Sequence, residues 1–306
     1  MPQFFTPVLF MLSSTLSLSL TGLLTKFLSQ DFSPEQLSFL RFVIPAIILL
    51  FIMCVTTFRK PPRDMVKPLW IRAVCIAACQ VCFIYALQVL TLVESVVLFS
   101  TGPLFIPVLE KLIFSVRVQW LTIASLVMTF CGVLFLAGDP SGIQFRPELL
   151  IGLLAGLFNA GSQLSLYRVS KGNMRAMDIN AWTFAYAAVL LMPVLFLGAD
   201  RMAIVGGLSS FNGVAIASLL AVSLLIINTQ IFRSKAYKLA SSGSQLAPLI
   251  FTNLLFTAIW QATFFNESFN VYQLIGLGLI VFASMLNILI PRLIRLLKRR
   301  SNIQWV

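Results

Sequence analysis

The sequence predicts an all-α integral membrane protein with ten transmembrane helices, arranged as two inverted repeats of five helices each. Three observations support this fold class: the composition, the number of apolar segments and a pattern that recurs in the two halves. Of the 306 residues, 59% are hydrophobic and only 10% are charged, and the mean hydropathy is +0.95. A soluble domain carries about 25% charged residues, so this chain lacks the polar residues to cover a water-facing surface of its size.

Ten segments are long and apolar enough to cross a bilayer, whose core of about 30 Å needs about 20 helical residues. In chain order they are approximately Phe5–Leu28, Pro34–Thr57, Trp70–Leu92, Glu94–Ser115, Val118–Ala137, Glu148–Val169, Ile179–Gly198, Phe211–Phe232, Ser241–Phe265 and Val271–Ile290. The connections are short and rich in turn residues, so no soluble domain fits between them. We interpret the first segment as a retained helix, because it is too long for a signal peptide and lacks a basic start and a small-residue cleavage site.

The basic residues are distributed unevenly between the two sides of the predicted membrane. The net charge of +12 would suggest a nucleic-acid partner if it formed a patch on a soluble domain. With the N-terminus inside, the cytoplasmic loops and tail hold 17 basic residues, namely Arg59, Lys60, Arg63, Lys67, Arg72, Arg117, Arg168, Lys171, Arg175, Arg233, Lys235, Lys238, Arg292, Arg295, Lys298, Arg299 and Arg300. The outer loops hold Arg146 and Arg201, and Lys26, Arg41 and Lys111 fall within spans. This pattern predicts a bacterial inner-membrane protein with both termini cytoplasmic, its charges facing anionic lipids rather than nucleic acid.

The two halves of the chain show weak self-similarity. Tyr85 and Tyr237 each precede a short polar link and a further pair of spans, which gives an offset of 152 residues. Earlier in each half an offset of 142 residues aligns Phe42 with Phe184. Because each half holds five spans, an odd number, the second half must enter the membrane upside down. Inverted repeats with a site at their interface are typical of secondary transporters.

Four stretches of sequence carry a recognisable family pattern. In the first half they are YALQVLTLVESVVLFSTGPLFIPVLEKL and VQWLTIASLVMTFCGVLFLAG, and in the second SKAYKLASSGSQLAPLIF and FFNESFNVYQLIGLGLIVFASM. These stretches resemble the EamA-type branch of the drug/metabolite transporter superfamily, and the resemblance covers nearly the whole chain. It implies ten helices in two inverted five-helix repeats around a central cavity, with the repeats at residues 1–139 and 140–291 and a basic cytoplasmic tail at 292–306. The chain departs from the family at Ser115, where the fourth span usually ends in an acidic residue, while Glu267 keeps the counterpart in the second half.

Ionisable residues inside the spans are candidate functional residues, since each costs about 2.5–3.5 kcal/mol at a helix centre. Glu110, near the inner end of span four, is interpreted as a protonatable coupling carboxylate or as an interfacial residue that pairs with Lys111 or reaches the surface. Arg41, below the outer end of span two, would hold an anionic group of the substrate or bond to backbone at a gate. Lys26, within a turn of the outer surface, would act in gating or extend to the interface. The family resemblance favours functional roles for both basic residues.

Uncharged polar residues near the middle of the spans form a second group of candidates. With Arg41, the predicted substrate-binding residues are Gln80, Tyr85, Ser100, Asn159, Gln163 and Asn253. Asn159 and Gln163 are four residues apart and therefore share one face of a helix. The alternative for each residue is a hydrogen bond between helices, worth about 0.6–2 kcal/mol, with no ligand involved.

Prolines interrupt spans in both halves of the chain. Gly102, Pro103 and Pro107 fall within span four, and Pro248 falls within span nine. Proline removes a backbone hydrogen bond and kinks a helix, and broken helices in two repeats indicate a binding site or a hinge. We therefore predict a gating role for Gly102, Pro103 and Pro248.

Several classes of function are excluded by residues that the sequence lacks. The chain has no histidine, which rules out a histidine-based triad, metal site or proton relay. Cys75, Cys79 and Cys82 match the spacing of a cluster-binding motif, but within a membrane helix they are interpreted as small hydrophobic residues. The absence of a phosphate-binding Gly-x4-Gly-Lys-Ser/Thr loop excludes an ATPase within this chain. We expect neither a cofactor nor a metal.

The sequence thus predicts a secondary transporter, not an enzyme, that moves a small organic metabolite by alternating access. The family resemblance implies amino acids, nucleosides or related amphipathic compounds, more often exported than imported. The alternative is a flippase for a lipid-linked or amphipathic substrate, favoured by the 27 phenylalanines if they line a lateral opening. The expected partners are the small-molecule substrate, membrane lipids and protons, and a monomer is sufficient because two halves are fused in one chain.

Overall fold

The described part of the chain is built from helices. The computed structural model describes residues 2–28, 32, 34–89, 98–99, 101–115, 120–137, 149–198, 213–264, 270–283 and 285–286. Within these ranges there are ten helices and no strand, as the composition predicts. They are α1 (Pro2–Leu28), α2 (Pro34–Thr56), α3 (Arg63–Val89), α4 (Gly102–Phe114), α5 (Trp120–Ala137), α6 (Leu149–Ser170), α7 (Ala176–Gly198), α8 (Gly213–Leu239), α9 (Ala247–Ile250, continued after a turn at Phe251 as Thr252–Phe264) and α10 (Val271–Ala283).

Among the described residues, five helices are long and apolar enough to cross a membrane. Their apolar parts are Thr6–Thr25, Gln36–Thr56, Arg63–Phe83, Leu149–Ser170 and Gly213–Leu239. Shorter apolar helices among the described residues are Trp120–Phe135, Ala247–Trp260 and Val271–Ala283. In a bilayer each backbone N–H and C=O must be bonded within the protein, and helices achieve this within one segment. The prediction of an all-helical membrane protein is confirmed.

Helices α3 and α8 extend beyond the apolar spans that the sequence predicts. α3 begins at Arg63 rather than at Trp70, and α8 ends at Leu239 rather than at Phe232. Charges limit an apolar segment, but they do not end a helix whose polar side chains bond to neighbouring helices. The extension of α8 therefore brings Arg233, Ser234 and Tyr237 into the bundle, whereas the polar residues of the α3 extension are exposed.

The same kind of turn occurs directly before α4 and within α9. Thr101, directly before α4, and Phe251, within α9, each donate their N–H to the carbonyl three residues earlier and accept from the N–H three residues later. Both have a φ of −70° and a ψ of −16°. Corresponding breaks therefore occur in the fourth helix of each half of the chain.

The two halves of the chain pack against one another helix by helix. The most extensive contacts join α1 to α8, α2 to α7 and α3 to α6. In addition α4 packs on α6 and α9 on α1, while α3 contacts α7 and α8 contacts α2. Each of these contacts has a counterpart in the other half of the chain, obtained by replacing each helix with the one five positions earlier or later. The α1–α8 contact thus corresponds to α6–α3, and the α4–α6 contact to α9–α1. Two structurally equivalent halves would produce this pattern.

Small residues bring α4 and α6 close together. A Cβ added to Gly156 of α6 would lie 2.5 Å from the Thr101 Oγ1 and 2.8 Å from the Leu98 carbonyl oxygen. A Cβ added to Gly102 of α4 would lie 2.9 Å from the Asn159 Nδ2. Glycine permits this approach because it has no side chain, as is usual where membrane helices touch.

Candidate functional site

A guanidinium group is buried between α3, α7 and α8. The side chain of Arg72 is 1% exposed, and its Nη2 donates to the Asn180 Oδ1 at 3.0 Å and to the Gln230 Oε1 at 3.1 Å. Its Nη1 donates to the Thr183 Oγ1 at 3.3 Å. Asn180 also donates from Nδ2 to the Ser234 Oγ at 3.1 Å, which joins α7 to α8. All the acceptors of Arg72 are neutral, so its positive charge is hydrogen-bonded but forms no ion pair with a carboxylate of the described residues.

A second buried arginine lies on the neighbouring helix. Arg233 of α8 is 4% exposed and lies one helical turn from Gln230, which accepts a hydrogen bond from Arg72, and one turn from Tyr237. It forms no hydrogen bond or ion pair with any residue that the structure describes, and its Nε and Nη2 are buried without a partner. The Nε of Arg72 is also buried and unpaired. A buried donor without a partner costs about 1–3 kcal/mol, and more when it is charged.

These positions correct the assignment of Arg72 and Arg233 to cytoplasmic loops. The structure places both within helices and inside the bundle, so at these two residues the prediction is wrong. The physical reason is that hydroxyl and amide groups on α7 and α8 solvate one guanidinium within the protein. A signal was present in the sequence, because the third predicted span, Trp70–Leu92, already contains Arg72. Asn180 and Gln230, which hold Arg72, were not among the predicted site residues.

The buried polar network continues into α6. The hydroxyl of Tyr237, which is fully buried, donates to the Gln163 Oε1 at 3.4 Å. The Gln163 Nε2 donates in turn to the Asn159 Oδ1 at 3.5 Å, along one face of α6. Two of the predicted substrate-binding residues are thus brought together and lead towards the arginine pair. Ser100, predicted to join them, lies outside the described residues.

Three side chains hold the segment that connects α8 to α9. The Glu110 carboxylate, fully buried on α4, accepts the Gly243 N–H at 2.8 Å. From the end of α6, the Tyr167 hydroxyl donates to the Ser241 carbonyl at 2.8 Å. The Lys171 Nζ donates to the Lys238 carbonyl at 2.9 Å and also to the carbonyl of Ala240. We call Glu110, Tyr167 and Lys171, together with residues 238–243, the latch.

The latch lies at the end of the bundle where α4, α6 and α8 finish. The N-terminal parts of α3 and α7, which carry Arg72 and Asn180, reach the same end. The ring of Tyr167 in the latch packs edge to face on that of Tyr237, with centroids 6.0 Å apart, so the latch adjoins the polar network through this tyrosine. The predicted coupling residue therefore contacts a loop of the other half rather than standing alone. Its predicted partner Lys111 is exposed on the outside of α4.

Two basic groups outside the spans have shifted pKa values. Partial burial lowers the pKa of Lys171 from its usual 10.5. Hydrogen bonding to Asp178 raises the pKa of Arg175 above its usual value, since Nε and Nη2 each donate to a carboxylate oxygen at 2.9 Å. The Nη2 also donates to the Thr57 carbonyl at 3.2 Å. Arg175 thereby ties the loop after α2 to the start of α7.

The remaining predicted binding residues lie apart from this cluster. Arg41 of α2 is half-buried and has no hydrogen bond or ion pair with the described part of the chain. One helical turn away on α2, Ser38 accepts a hydrogen bond from the Gln80 Nε2 of α3 at 3.0 Å. Tyr85 is 49% exposed near the end of α3, and Asn253 is half-buried on α9. Arg41 and the partner of Gln80 thus lie on the same part of α2.

The residues predicted to act in gating have mixed surroundings. Gly102 and Pro103 are buried in the first turn of α4, and Pro248 is buried in the first turn of α9. Proline is accommodated at these positions because its missing N–H would be unbonded there in any case. Pro107 lies inside α4 without ending it. Lys26 lies in α1, but its side chain, like Glu267, falls outside the described residues.

The helices and the buried polar network define a helical protein that spans the membrane several times. A family model described as the EamA-like transporter family matches residues 5–138 and again 146–289. The chain belongs to this family, and it is a transporter rather than an enzyme. The two matches correspond to two repeats of one family unit within the chain.

Individual relatives are distant but align along most of their length. The chain is 22% identical over 276 residues to proteins named pseudopaline exporter CntI from two Pseudomonas aeruginosa strains, PAO1 and UCBPP-PA14. The alignment covers 90% of this chain and 93% of each relative. The crystal structure of another protein superposes with a TM-score of 0.75 at 16% identity, over 94% of this chain and 98% of that one. This last similarity concerns the fold alone.

Proposed function

We propose that the protein exports a small organic metabolite across the inner membrane by alternating access. The observation that carries the proposal is the buried arginine pair and its polar network, located between the halves of a chain that belongs to a transporter family. The naming of the similar Pseudomonas aeruginosa proteins as exporters supports the direction. Amino acids, nucleosides and related amphipathic compounds are the proposed substrate classes.

The proposed mechanism uses two inverted repeats that rock about their interface. The helix contacts support this arrangement, because each one has a counterpart between the helices five positions away in the chain. The latch would close one end of the bundle while the substrate is held, and its release would open that end. With both termini in the cytoplasm, the latch end faces the cytoplasm, because α3 and α7 then start there and α4, α6 and α8 finish there.

Glu110 is the proposed coupling group. As a carboxylate it accepts the Gly243 N–H, and a hydrogen bond to an ionised acceptor is about twice as strong as a neutral one. Protonation would weaken this bond and favour opening of the latch, so a proton could be exchanged for the substrate. Arg41, Gln80, Tyr85, Asn159, Gln163 and Asn253 remain proposed substrate contacts, with Ser100 a further candidate.

Counterflow in proteoliposomes tests the proposal. Vesicles containing the purified protein are loaded with one unlabelled compound and exposed to a trace of the same compound in labelled form. A transporter accumulates the label transiently, whereas vesicles without protein do not. The panel should include amino acids, nucleosides and dicarboxylates, and folded protein that exchanges none of them would contradict the proposal.

A further inference from the structure

We propose that Arg72 and Arg233 form a binding site for an anionic oxygen group, a carboxylate or a phosphate, of the exported metabolite. This inference rests on the proposed function, because it takes the ligand to be the transported compound. The site lies between α3, α7 and α8, and it was not among the predicted substrate contacts. Its substrate class is therefore an organic anion.

Arg233 has the pair of unpaired donors that an oxyanion requires. On Arg233 the two unpaired atoms are Nε and Nη2, which form one edge of the planar guanidinium. Two parallel N–H bonds from one edge match the two oxygens of a carboxylate or phosphate. On Arg72 the Nη atoms are occupied by Asn180, Thr183 and Gln230, and the Nε is left unpaired. Arg72 is thus held in place with one donor remaining, and Arg233 offers a complete fork.

No carboxylate among the described residues forms an ion pair with either arginine. Of the carboxylates whose side chains the structure describes, Asp178 pairs with Arg175, Glu110 accepts the Gly243 N–H, and Asp64 is exposed at the start of α3. Neither arginine has an ion pair with a described residue. Two buried cations on the neighbouring helices α3 and α8 therefore have no ion pair with the described residues, and a bound anion would supply the charge and the missing acceptors together.

A structural role explains Arg72 but not Arg233. Arg72 joins α3 to α7 and α8 through three hydrogen bonds, so it contributes to packing. Arg233 forms none with the described residues, and burial of an unpaired cation destabilises a folded protein. Residues that cost stability yet remain buried are characteristic of binding sites. This difference separates the two explanations in an experiment.

Thermal unfolding in a non-ionic detergent provides the test. Melting temperatures are measured in 20 mM succinate, in 20 mM phosphate and in chloride at the same ionic strength, for the wild-type protein and for Arg233→Gln. The matched control is Lys235→Gln, which removes one positive charge from the exposed side of the same helix. Neutral succinamide serves as the control ligand.

We expect succinate or phosphate to raise the melting temperature of the wild-type protein and of Lys235→Gln by about 3 °C or more. Arg233→Gln should lose this increase, and in chloride it should melt at or above the wild-type temperature because a buried unpaired charge is gone. An Arg233→Gln variant that melts well below wild type in chloride would assign Arg233 a structural role and overturn the proposal. So would the absence of any anion effect on the wild type, or an equal effect on Arg233→Gln.

A lipid headgroup presents the same chemistry and must be distinguished. Phosphatidylglycerol could raise the melting temperature of the wild-type protein but not of Arg233→Gln, while succinate and phosphate raise neither. The site would then bind a lipid, and the inference is overturned. Counterflow separates this inference from the proposed function. Exchange of neutral compounds without anion binding would contradict only the proposed anion site. Anion binding without exchange of any compound would contradict the proposed transport function.

Discussion

The rings of Phe42 and Phe184 pack edge to face, with their centroids 6.0 Å apart and their planes at 61°. These residues lie 142 positions apart, at matching places in the second helices of the two halves. Both are buried, at 7% and 1% exposure. A residue that touches its own counterpart must lie close to the axis that relates the two halves. The α2–α7 contact therefore supports a pivot for the proposed rocking motion.

Phe184→Ala should destabilise the protein by about 3–5 kcal/mol, because a buried ring is replaced by a cavity at this contact. Reversible unfolding in mixed micelles measures the change. Phe51→Ala on α2 is the matched control: its ring is 69% exposed, and we expect a change within about 0.5 kcal/mol. Equal losses in the two variants would show that the α2–α7 contact carries no special packing energy.

Gly156→Ala should separate α4 from α6 and lower the stability by about 1–3 kcal/mol through overpacking. Two of the atoms that the new Cβ would meet are backbone atoms, the Leu98 oxygen at 2.8 Å and the Gly102 nitrogen at 3.2 Å, and these cannot rotate away. Gly22→Ala is the control, since no atom lies within 4 Å of its added Cβ. The control should gain up to about 1 kcal/mol from helix propensity. If both variants unfold at a higher temperature than the wild-type protein, the α4–α6 contact has room for a side chain at position 156.

Lys171→Met should loosen the latch by removing the hydrogen bonds to the carbonyls of Lys238 and Ala240. The readout is the rate of maleimide labelling of Ala240→Cys, a buried position, in a background without the native cysteines. Loss of a charge-assisted bond worth about 1.5 kcal/mol predicts roughly a tenfold faster rate. Lys238→Met removes an exposed charge but keeps its carbonyl, so its labelling rate should match the parent. Identical rates in the two variants would contradict the latch.

Glu110→Gln should abolish the response of transport to a pH gradient while leaving counterflow in place. The amide oxygen still accepts the Gly243 N–H, but as a neutral acceptor it resembles protonated Glu110 and does not titrate, so the latch no longer responds to protons. The comparison is Asp64→Asn, which changes an exposed carboxylate at the start of α3. A gradient response that persists in Glu110→Gln would exclude this carboxylate as the coupling group.

The sequence predicts the membrane class and the helices well, because both depend on composition and on apolar runs along the chain. Asn159 and Gln163 could be placed on one face for the same reason: helical spacing is local information. Arg233 could not be located this way, because counting charges treats every basic residue near a span end as exposed. Its burial depends on where α8 meets α3 and α7, which is a property of the tertiary packing.

The partner of Glu110 was likewise beyond the reach of local patterns. In this bond the Glu110 carboxylate accepts the backbone N–H of Gly243, and every residue except proline has such an N–H. No residue type at position 243 could therefore have identified the contact. Tyr167 and Lys171 also bind backbone carbonyls. Bonds from side chains to backbone groups do not depend on the residue type of the partner. The latch could therefore be identified only from the three-dimensional structure.

The helix pairing also determines the order in which the protein can be assembled during synthesis. Since α3 pairs with α6, α2 with α7 and α1 with α8, the pairs are nested, and the earliest helix waits longest for its partner. At 5–20 residues per second, α1 would spend roughly 10–40 s in the bilayer before α8 is complete. The nascent first half would therefore be a loose set of inserted helices, open to degradation until the ribosome has delivered the second half.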